Sequence, residues 1–417
     1  MKRTVTIFFA LLLAHFCATA QSWRDSVWRA DVMTVRLYRT GAELSCTPPV
    51  LTTGRQEGLT LEFDILRAEP EALRWKVRHC DRHWRPDNLE PYEFMTGFDE
   101  GAVDEYEFSF TTLHDYVHYK AKLFGSFTEF FHSGNYLLTV SLDSSPDSIL
   151  LTRRFCVSEE SAGCTAVVTR PFDGMAVDRR QQVDVSVGGN FQEQYLDVAV
   201  QQNGRLDNMR FLEMSGYDGN DICFRNRNCN IFDGGNTFRF FDCSNLHSPM
   251  YNMVRVEEYG GQQFVILRPE EDRSKKHYLS EKGLMGGMKV NIWDRNNPTL
   301  EADYVWVNFS LPMAQPMLDG RIYIVGDLTG WRLDESSYMD YNPQLRAYTK
   351  RLLLKQGYYS YQLLVLPTYP ATQPFSHSAT QRLEGDHRET PNLYTVYVYY
   401  RSPSDRADRL IRVKKLQ

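Results

Sequence analysis

The chain has 417 residues, of which 47 are basic and 53 are acidic, and 42% of the residues are hydrophobic. This length suits two to four domains of ordinary size better than one compact domain. The mild acidic excess, with both signs interspersed, argues against a nucleic-acid partner, because such a partner requires a strongly basic surface.

The N-terminus has the parts of a secretory signal peptide. Lys2 and Arg3 precede an apolar run from Val5 to Phe16, and residues 18–20 provide a small-residue cleavage site. The run is shorter than the ~20 residues that a membrane-spanning helix needs. We therefore predict a signal peptide at 1–20, cleavage after Ala20, export across the inner membrane and no direct membrane span. Removal of the two basic residues would leave 45 basic against 53 acidic residues, a net charge of −8.

Seven cysteines would remain after cleavage, namely Cys46, Cys80, Cys156, Cys164, Cys223, Cys229 and Cys243. Export permits disulfides, and the odd number leaves at least one thiol free. The last three lie close together in the sequence and could supply one bridge, although the pairing stays open. Because they have no CxxC spacing and no nearby pair of histidines, a zinc site is the poorer interpretation.

Alternation of apolar and polar residues predicts β-strands along the whole chain. The clearest patterns are LTLEFDI (59–65), LRWKVRH (73–79), EYEFSFTT (105–112), NYLLTVSL (135–142), QVDVSVG (182–188), YLDVAVQ (195–201) and YVWVNFSL (304–311). Turn-forming Gly and Asn residues separate them, and no long amphipathic helix is evident. Many short strands with regular turns indicate an all-β protein built of tandem immunoglobulin-like or early-set β-sandwich domains.

Two linker-like stretches suggest domain boundaries. A polar segment follows the strand that ends near Val157, and Pro312 and Pro316 interrupt the chain before a new strand near Ile322. We therefore predict three β-sandwich domains at 21–158, 159–312 and 313–417.

The segment RHCDRHWRPDNL (78–89) places two His, one Cys and one Asp within five residues, which could indicate a metal site or a nucleophile. Strand alternation points His79 and Cys80 to opposite faces, so they cannot easily bind one metal ion. Pro86 stops regular strand pairing, and Trp84 offers a large apolar surface for packing. A structural corner is therefore the favoured interpretation, and a metal site is the alternative.

Other candidates for chemistry are weaker. In LHDYVHY (113–119), strand alternation puts His114 and His118 on one face and Asp115 on the other. No Gly-x-Ser-x-Gly elbow, P-loop or Rossmann fingerprint is present. A hydrolase with two carboxylates stays open, because pairing of carboxylates across strands is invisible in a sequence. We assign no catalytic, metal-binding or cofactor-binding residue and predict that the protein is not an enzyme.

Several blocks resemble the N-terminal domain of the type IX secretion system plug protein. They are LRWKVRHCDRHWRPDNLEPYEFMTGF (73–98), VDEYEFSFTTLHDYVHYKAKL (103–123), SGNYLLTV (133–140) and LTRRFCV (151–157). Two later blocks are also similar to that family, GGNTFRFFDCSNLHSP (234–249) and EGDHRETPNLYTVYVYYRSPSDRADRLI (384–411).

The resemblance implies a non-enzymatic periplasmic subunit of Bacteroidetes-type bacteria without cofactors. Members of this family bind the periplasmic side of an outer-membrane translocon β-barrel and close its pore when no cargo occupies it. The partner expected from the resemblance is therefore that barrel.

The predicted C-terminal domain is similar to the early-set β-sandwiches that include glycogen-binding modules. In those modules a turn places an aromatic ring against a sugar, and here Gly326, Asp327, Leu328 and Trp331 lie in the comparable turn. An exported carbohydrate-binding protein is therefore the alternative function, although similarity of fold alone does not transfer sugar binding.

Aromatic residues near the C-terminus are the candidate partner contacts. In YTVYVYYR (394–401) tyrosines alternate onto both faces of the predicted strand, so that one face could pack inside while the other meets a partner. The candidate contact residues are Trp331, Tyr338, Tyr358, Tyr397 and Tyr399.

Overall fold

The structure is a computed structural model that describes residues 24–42, 48–125, 128–171, 178–225, 229–280, 283–368 and 380–417. The predicted signal peptide and Cys46 lie outside these residues. Within the described ranges, no helix has the combination of length and apolar character that crossing a membrane requires. The helices that are described are single turns, so strands build the fold, and the prediction of an all-β sandwich protein is confirmed.

The first sandwich contains β1 to β12. Its strands are β1 (Ser26–Val27), β2 (Val32–Arg39), β3 (Val50–Thr52), β4 (Leu59–Ile65), β5 (Leu73–Cys80), β6 (Met95–Thr96), β7 (Glu100–Val103), β8 (Glu105–Phe108), β9 (Val117–Leu123), β10 (Glu129–Phe130), β11 (Gly134–Leu142) and β12 (Ser145–Ser158). One sheet has the order β1-β12-β11-β5-β7 with β3 beside β12, the other has the order β2-β4-β9-β8, and β6 pairs with β10. A one-turn helix lies at Pro91–Phe94.

The alternation of the sequence explains the core of this sandwich. Leu59, Leu61, Phe63 and Ile65 of β4 point inward together, and Tyr136 of β11 joins them from the opposite sheet. The intervening residues of β4 are polar, yet the whole strand is buried. A further layer of protein must therefore cover the outer face of this sheet.

The second sandwich begins with β13 to β19. These strands are β13 (Gly163–Thr169), β14 (Arg180–Gly188), β15 (Leu196–Gln202), β16 (Arg210–Leu212), β17 (Gly216–Asp218), β18 (Asp221–Phe224) and β19 (Ile231–Asp233), with a 3₁₀ turn at Glu193–Tyr195. One sheet has the order β13-β14-β18-β17 with β19 beside β14, and β16 pairs with β15 in the other sheet.

The third sandwich contains β20 to β28. These strands are β20 (Arg239–Asp242), β21 (Met253–Tyr259), β22 (Gln262–Leu267), β23 (Met288–Val290), β24 (Tyr304–Pro312), β25 (Gly320–Val325), β26 (Asp340–Asn342), β27 (Ala347–Lys355) and β28 (Gly357–Pro367). One sheet has the order β20-β28-β23 with β25 beside β28, and the other has the order β21-β22-β24-β27-β26. One-turn helices lie at Pro298–Glu301 and Gln381–Glu384, and a 3₁₀ turn lies at Asp327–Thr329.

The chain then returns to the second sandwich. Strands β29 (Tyr394–Tyr400) and β30 (Arg409–Leu416) complete the sheet β16-β15-β29-β30. Tyr394, Val396 and Val398 pack in one core with Val198 and Val200 of β15. The third sandwich is therefore an insertion within the second.

The structure thus divides the chain differently from the predicted boundary at 312/313. Strand β24 on one side of that boundary pairs with β27 on the other, and β29 pairs with β15 almost 200 positions earlier. The Pro-containing segment after β24 connects two sheets of one sandwich. Linker composition marks any exposed connection, whether it lies within a sandwich or between two.

This topology makes a testable prediction about truncation. A chain that ends at residue 388 keeps every strand of the first and third sandwiches but lacks β29 and β30. Because β15 then loses one of its two neighbouring strands, amide hydrogen exchange in β15 should accelerate by at least about tenfold, while β27 should stay protected. Unchanged protection of β15 would contradict the discontinuous second sandwich.

Candidate functional site

Buried polar side chains join the three sandwiches. The Asp64 joint (Asp64, His118, Tyr304 and Lys355) connects the first sandwich to the third. In it, His118 Nδ1 lies 2.7 Å from Asp64 Oδ1, while Tyr304 Oη and Lys355 Nζ each donate to Asp64 Oδ2 at 2.6 Å. Lys355 Nζ also donates to the carbonyl oxygen of Thr299 at 2.6 Å.

Strand geometry explains how these four residues meet. Asp64 and His118 are directly opposite on β4 and β9, and Tyr304 and Lys355 are directly opposite on β24 and β27. Each pair therefore projects from one position of its sheet, and the two sheets face each other across the joint. Asp64, Tyr304 and Lys355 are at most 2% exposed. The joint therefore lies on the outer face of β4, which the third sandwich covers.

Electrostatics favour the ion pair. Burial alone would raise the pKa of Asp64, but the Lys355 ammonium and His118 outweigh it and lower that pKa below its ordinary value. Burial lowers the pKa of Lys355, and the carboxylate of Asp64 opposes this change. Lys355 also lies 4.1 Å from the ring centroid of Tyr116, a cation–π contact on the first sandwich.

The Asp408 joint (Arg82, Glu159, Asp408 and Arg409) connects the first sandwich to the second. Arg82 Nη1 donates to Asp408 Oδ1 at 2.8 Å, and the backbone N–H of Arg82 donates to Asp408 Oδ2 at the same distance. Arg409 forms a bidentate pair with Glu159 at 2.8 and 2.7 Å. Such planar two-point pairing fixes orientation as well as distance.

The segment 78–89 supplies one side of this joint. Trp84 is buried in a cluster with Tyr397, Tyr399 and Leu410 of the second sandwich, and Arg154 lies over its ring at 4.8 Å. His79 Nδ1 lies 2.5 Å from Asp87 Oδ2. The corner predicted from Trp84 and Pro86 therefore packs against a neighbouring domain.

The structure places no group of three or more His, Cys, Asp or Glu with metal-binding geometry within the described ranges. His118 takes part in the Asp64 joint, whereas His114 lies before the start of β9, so the predicted strand alternation does not extend to it. Strand β9 begins at Val117, because residues 109–116 form a turn that is closed by a bond from Ser109 N to Tyr116 O.

The cysteines do not form the bridge that the sequence left open. Cys80, Cys156, Cys164, Cys223, Cys229 and Cys243 are free thiols. Cys223 belongs to the second sandwich and Cys243 to the third, so their closeness in sequence does not bring them together. Burial raises the pKa of Cys80 to about 12, which keeps that thiol protonated.

The crossing joint (Gly234, Gly235, Asp386, His387 and Asn392) lies where the chain leaves the second sandwich and returns. His387 N donates to Gly235 O at 2.8 Å, and Asn392 Nδ2 donates to Gly234 O at 2.7 Å. A Cβ at residue 234 would lie 2.2 Å from the carbonyl oxygen of His387, so this close approach requires glycine.

Two carboxyl groups at this crossing repel each other. Burial, reinforced by the charge of Asp233, raises the pKa of Asp386 to about 7. Burial also raises the pKa of Asp233 to about 6, although Arg180 and Arg210 oppose the change. Asp386 accepts a bond from Gly235 N through Oδ1, whereas its Oδ2 is buried without a hydrogen-bond partner.

The five predicted contact residues separate into two groups. Tyr397 and Tyr399 are 1% exposed, and their hydroxyls donate to Gln201 and Asn135. They therefore cannot contact an external partner in this conformation, because both faces of β29 are covered. Sequence alternation could not reveal this, since the second cover belongs to another domain.

The remaining three, Trp331, Tyr338 and Tyr358, are half-buried on the third sandwich. Trp331 Nε1 donates to Asp327 Oδ1 at 2.8 Å, and its ring packs against Phe238 and over Gly286. One side of the indole is thus covered by protein, which weakens the case for a sugar-stacking platform. Tyr338 and Tyr358 keep partly open rings on outer surfaces.

The turn that carries Trp331 borders a cavity of about 80 Å³ between the first and third sandwiches. Thr34 and Arg153 line it from the first sandwich, and Asp327 and Lys355 line it from the third. Burial raises the pKa of Asp327 to about 6, while Trp331 and Arg153 act in the opposite direction. The cavity adjoins the Asp64 joint through Lys355.

Comparison with known proteins identifies the first sandwich. Residues 32–159 match the family model of the type 9 secretion system plug protein 1st domain, so the resemblance of the N-terminal blocks to this family is confirmed. A crystal structure of a hypothetical protein from Parabacteroides merdae ATCC 43184 is similar over 95% of this chain and 99% of that one, with a TM-score of 0.88 and 29% identity. No curated protein matches the sequence.

The Asp64 joint predicts a large effect of Lys355→Met. The substitution leaves the Asp64 carboxylate buried without its cation, so unfolding free energy should fall by about 3–5 kcal/mol in urea denaturation. Lys350→Met, on the same strand but with its ammonium at the surface, should cost less than about 1 kcal/mol. Adding Asp64→Asn to Lys355→Met should recover part of the loss, and equal effects of the two lysine variants would contradict the joint.

The crossing joint predicts a pH-dependent gain from Asp386→Asn. The folded pKa of about 7 lies above the ordinary 3.8, so this group lowers stability progressively as pH rises from about 4 to about 7. The variant should match the parent at pH 4 and exceed it by about 1–3 kcal/mol at pH 8. Exposed Asp319→Asn serves as the control, and a gain that is independent of pH would refute this explanation.

Proposed function

We propose that this chain is a non-enzymatic, periplasmic subunit of the type 9 secretion system, because residues 32–159 match the family model of the first domain of its plug protein. In this role it binds the periplasmic side of the outer-membrane translocon barrel and plugs the pore when cargo is absent. The family match over the first sandwich is the observation that carries the proposal.

The way in which the sandwiches are joined supports a plug. A protein that closes a pore must keep its shape, so its domain junctions must resist bending. The Asp64 joint, the Asp408 joint and the crossing joint tie each sandwich to both others through oriented polar contacts that are buried or partly buried. At the crossing joint the chain passes from the second sandwich to the third and back again. These two sandwiches are therefore held by two covalent connections, whereas tandem domains share only one.

The surface supports reversible binding. Exposed aromatic residues are spread over the first and third sandwiches, including Tyr92, Phe98 and Trp293. Aromatic side chains with a polar surround are typical of protein–protein contacts. Because a plug must leave when cargo arrives, we expect an interface weaker than that of an obligate complex.

The decisive test is association with the barrel in the native host. Tagged full-length protein, isolated in mild detergent from the outer-membrane fraction, should retain the translocon barrel. Deletion of the gene should make the outer membrane permeable to large solutes, and restoration of the gene should reverse this. Absence of the barrel from the isolated complex, together with unchanged permeability, would refute the proposal.

A further inference from the structure

Strand β8 is an edge strand with unusual side chains. It is the last strand of the sheet β2-β4-β9-β8 and has no strand partner on its outer side among the described residues. Tyr106 and Phe108 are 44% and 51% exposed, and their rings meet edge to face at 5.8 Å. Edge strands normally carry charged residues or proline at exposed positions, because an apolar edge tends to pair with strands of other chains.

Hydrogen bonding shows which backbone groups face outward. Ser109 N donates to Tyr116 O, and β8 pairs with β9 in antiparallel register without a bulge. In such a ladder the bonded residues alternate, so Glu105 and Glu107 use their N–H and C=O groups toward β9. The N–H and C=O groups of Tyr106 and Phe108 consequently point to the outer edge.

The third sandwich already uses the end of this edge. Phe110 is the next residue in the outward-facing series, and its N–H donates to the carbonyl oxygen of Leu300 at 3.1 Å. Arg295 Nη1 donates to Thr111 O at 3.0 Å, and Trp293, two residues earlier, is a strongly exposed aromatic. The unpaired part of β8 therefore ends where the third sandwich begins, and this contact limits how far an added strand can extend.

The charges beside this edge are acidic. Glu105 and Glu107 share the face opposite to the two aromatic rings. Glu105 lies 3.7 Å from Lys122, whereas Asp104 and Glu107 form no ion pair with any described residue. An extended segment laid along β8 would therefore gain from basic side chains on one face and apolar side chains on the other.

We propose that the outer edge of β8 accepts an extended, basic segment from the periplasmic rim of the translocon barrel as an added β-strand, an inference that rests on the proposed function. The outward N–H and C=O groups of Tyr106 and Phe108 bond its backbone. The two aromatic rings cover its apolar side chains, and Glu107 pairs with a cation. This is strand addition at a sheet edge.

A second copy of the chain fits this edge poorly. Antiparallel self-pairing that matches Tyr106 with Tyr106 places Glu105 opposite Glu107, and pairing of Tyr106 with Phe108 places Glu107 opposite Glu107. Both registers bring like charges together on one face, which is destabilising. The acidic side chains therefore select a basic partner over self-association.

Substitutions can test the edge without breaking the sheet. Tyr106→Pro removes an outward N–H that the β8–β9 ladder does not use, and proline is tolerated at such edge positions. The dissociation constant for the detergent-solubilised barrel should rise by at least about tenfold. Glu107→Lys should weaken binding and reduce its salt dependence, whereas Tyr259→Ala, which removes an exposed aromatic from edge strand β21, should change binding by less than about twofold.

Hydrogen exchange provides an independent measurement on the unmodified full chain. On addition of the barrel, the amides of Tyr106 and Phe108 should become protected, while those of Glu105 and Glu107, already bonded within the sheet, should change little. Protection that alternates along β8 distinguishes strand addition from general burial of the strand. Because the measurement uses the unmodified protein, it stays valid even if Tyr106→Pro perturbs folding.

The outcomes separate this inference from the proposed function. Suppose that the unmodified protein and the Tyr106→Pro variant bind the barrel equally well, and that the unmodified protein shows no alternating protection of β8. The edge proposal is then overturned, while the plug function stands. If the parent does not bind the barrel, both fail. Alternating protection that depends on protein concentration without the barrel would identify a second copy as the occupant and would also overturn the proposal.

Discussion

The burial of the Asp64 carboxylate is the constraint on which the arrangement of domains depends. A single carboxylate inside a protein costs several kcal/mol unless cations and donors surround it. Asp64 meets this requirement only because Lys355 and Tyr304 reach it from the third sandwich. Separation of the two sandwiches would expose both charges to water but would break every one of these contacts at once, so the joint favours one relative orientation.

The path of the chain adds a second constraint. Since β15 pairs with β29, the second sandwich cannot form until the third has been synthesised and the chain has returned. The crossing joint holds the two passing segments at a distance that only glycine at residue 234 allows. Blocks 234–249 and 384–411, which are far apart in sequence, begin side by side at this crossing.

Burial at the joints also explains where a partner can bind. The sequence left the tyrosines of β29 as candidate partner contacts, yet they pack between domains together with the tryptophan at the corner after β5. Exposed aromatic rings lie on edge strands of all three sandwiches, with Tyr106 on β8, Tyr217 on β17 and Tyr259 on β21, and on several loops. The proposed recognition at the edge of β8 would combine such an exposed aromatic surface with backbone groups that add direction to apolar contact.

Local structure follows from short-range patterns in the sequence. Alternation in LTLEFDI and YVWVNFSL predicts β4 and β24 to within a residue, because side-chain period and one-sided burial are local properties. The prediction from EYEFSFTT runs four residues beyond the end of β8, since the turn that follows carries the same alternation. The family resemblance of the first sandwich likewise rested on short blocks whose order is visible in one chain.

The way in which these elements combine depends on contacts that exist only in the folded chain. Asp64 lies on the polar face of β4, where alternation alone would place it in solvent, and residues of the inserted sandwich cover it. Its partner Lys355 is 291 positions away, and no local pattern specifies a contact at that separation. The same reason applies to the boundary at 312/313, because pairing of β15 with β29 depends on matching surfaces after the chain has folded. Local periodicity fixes each strand, whereas burial between domains fixes which polar groups become joints and which edges remain open.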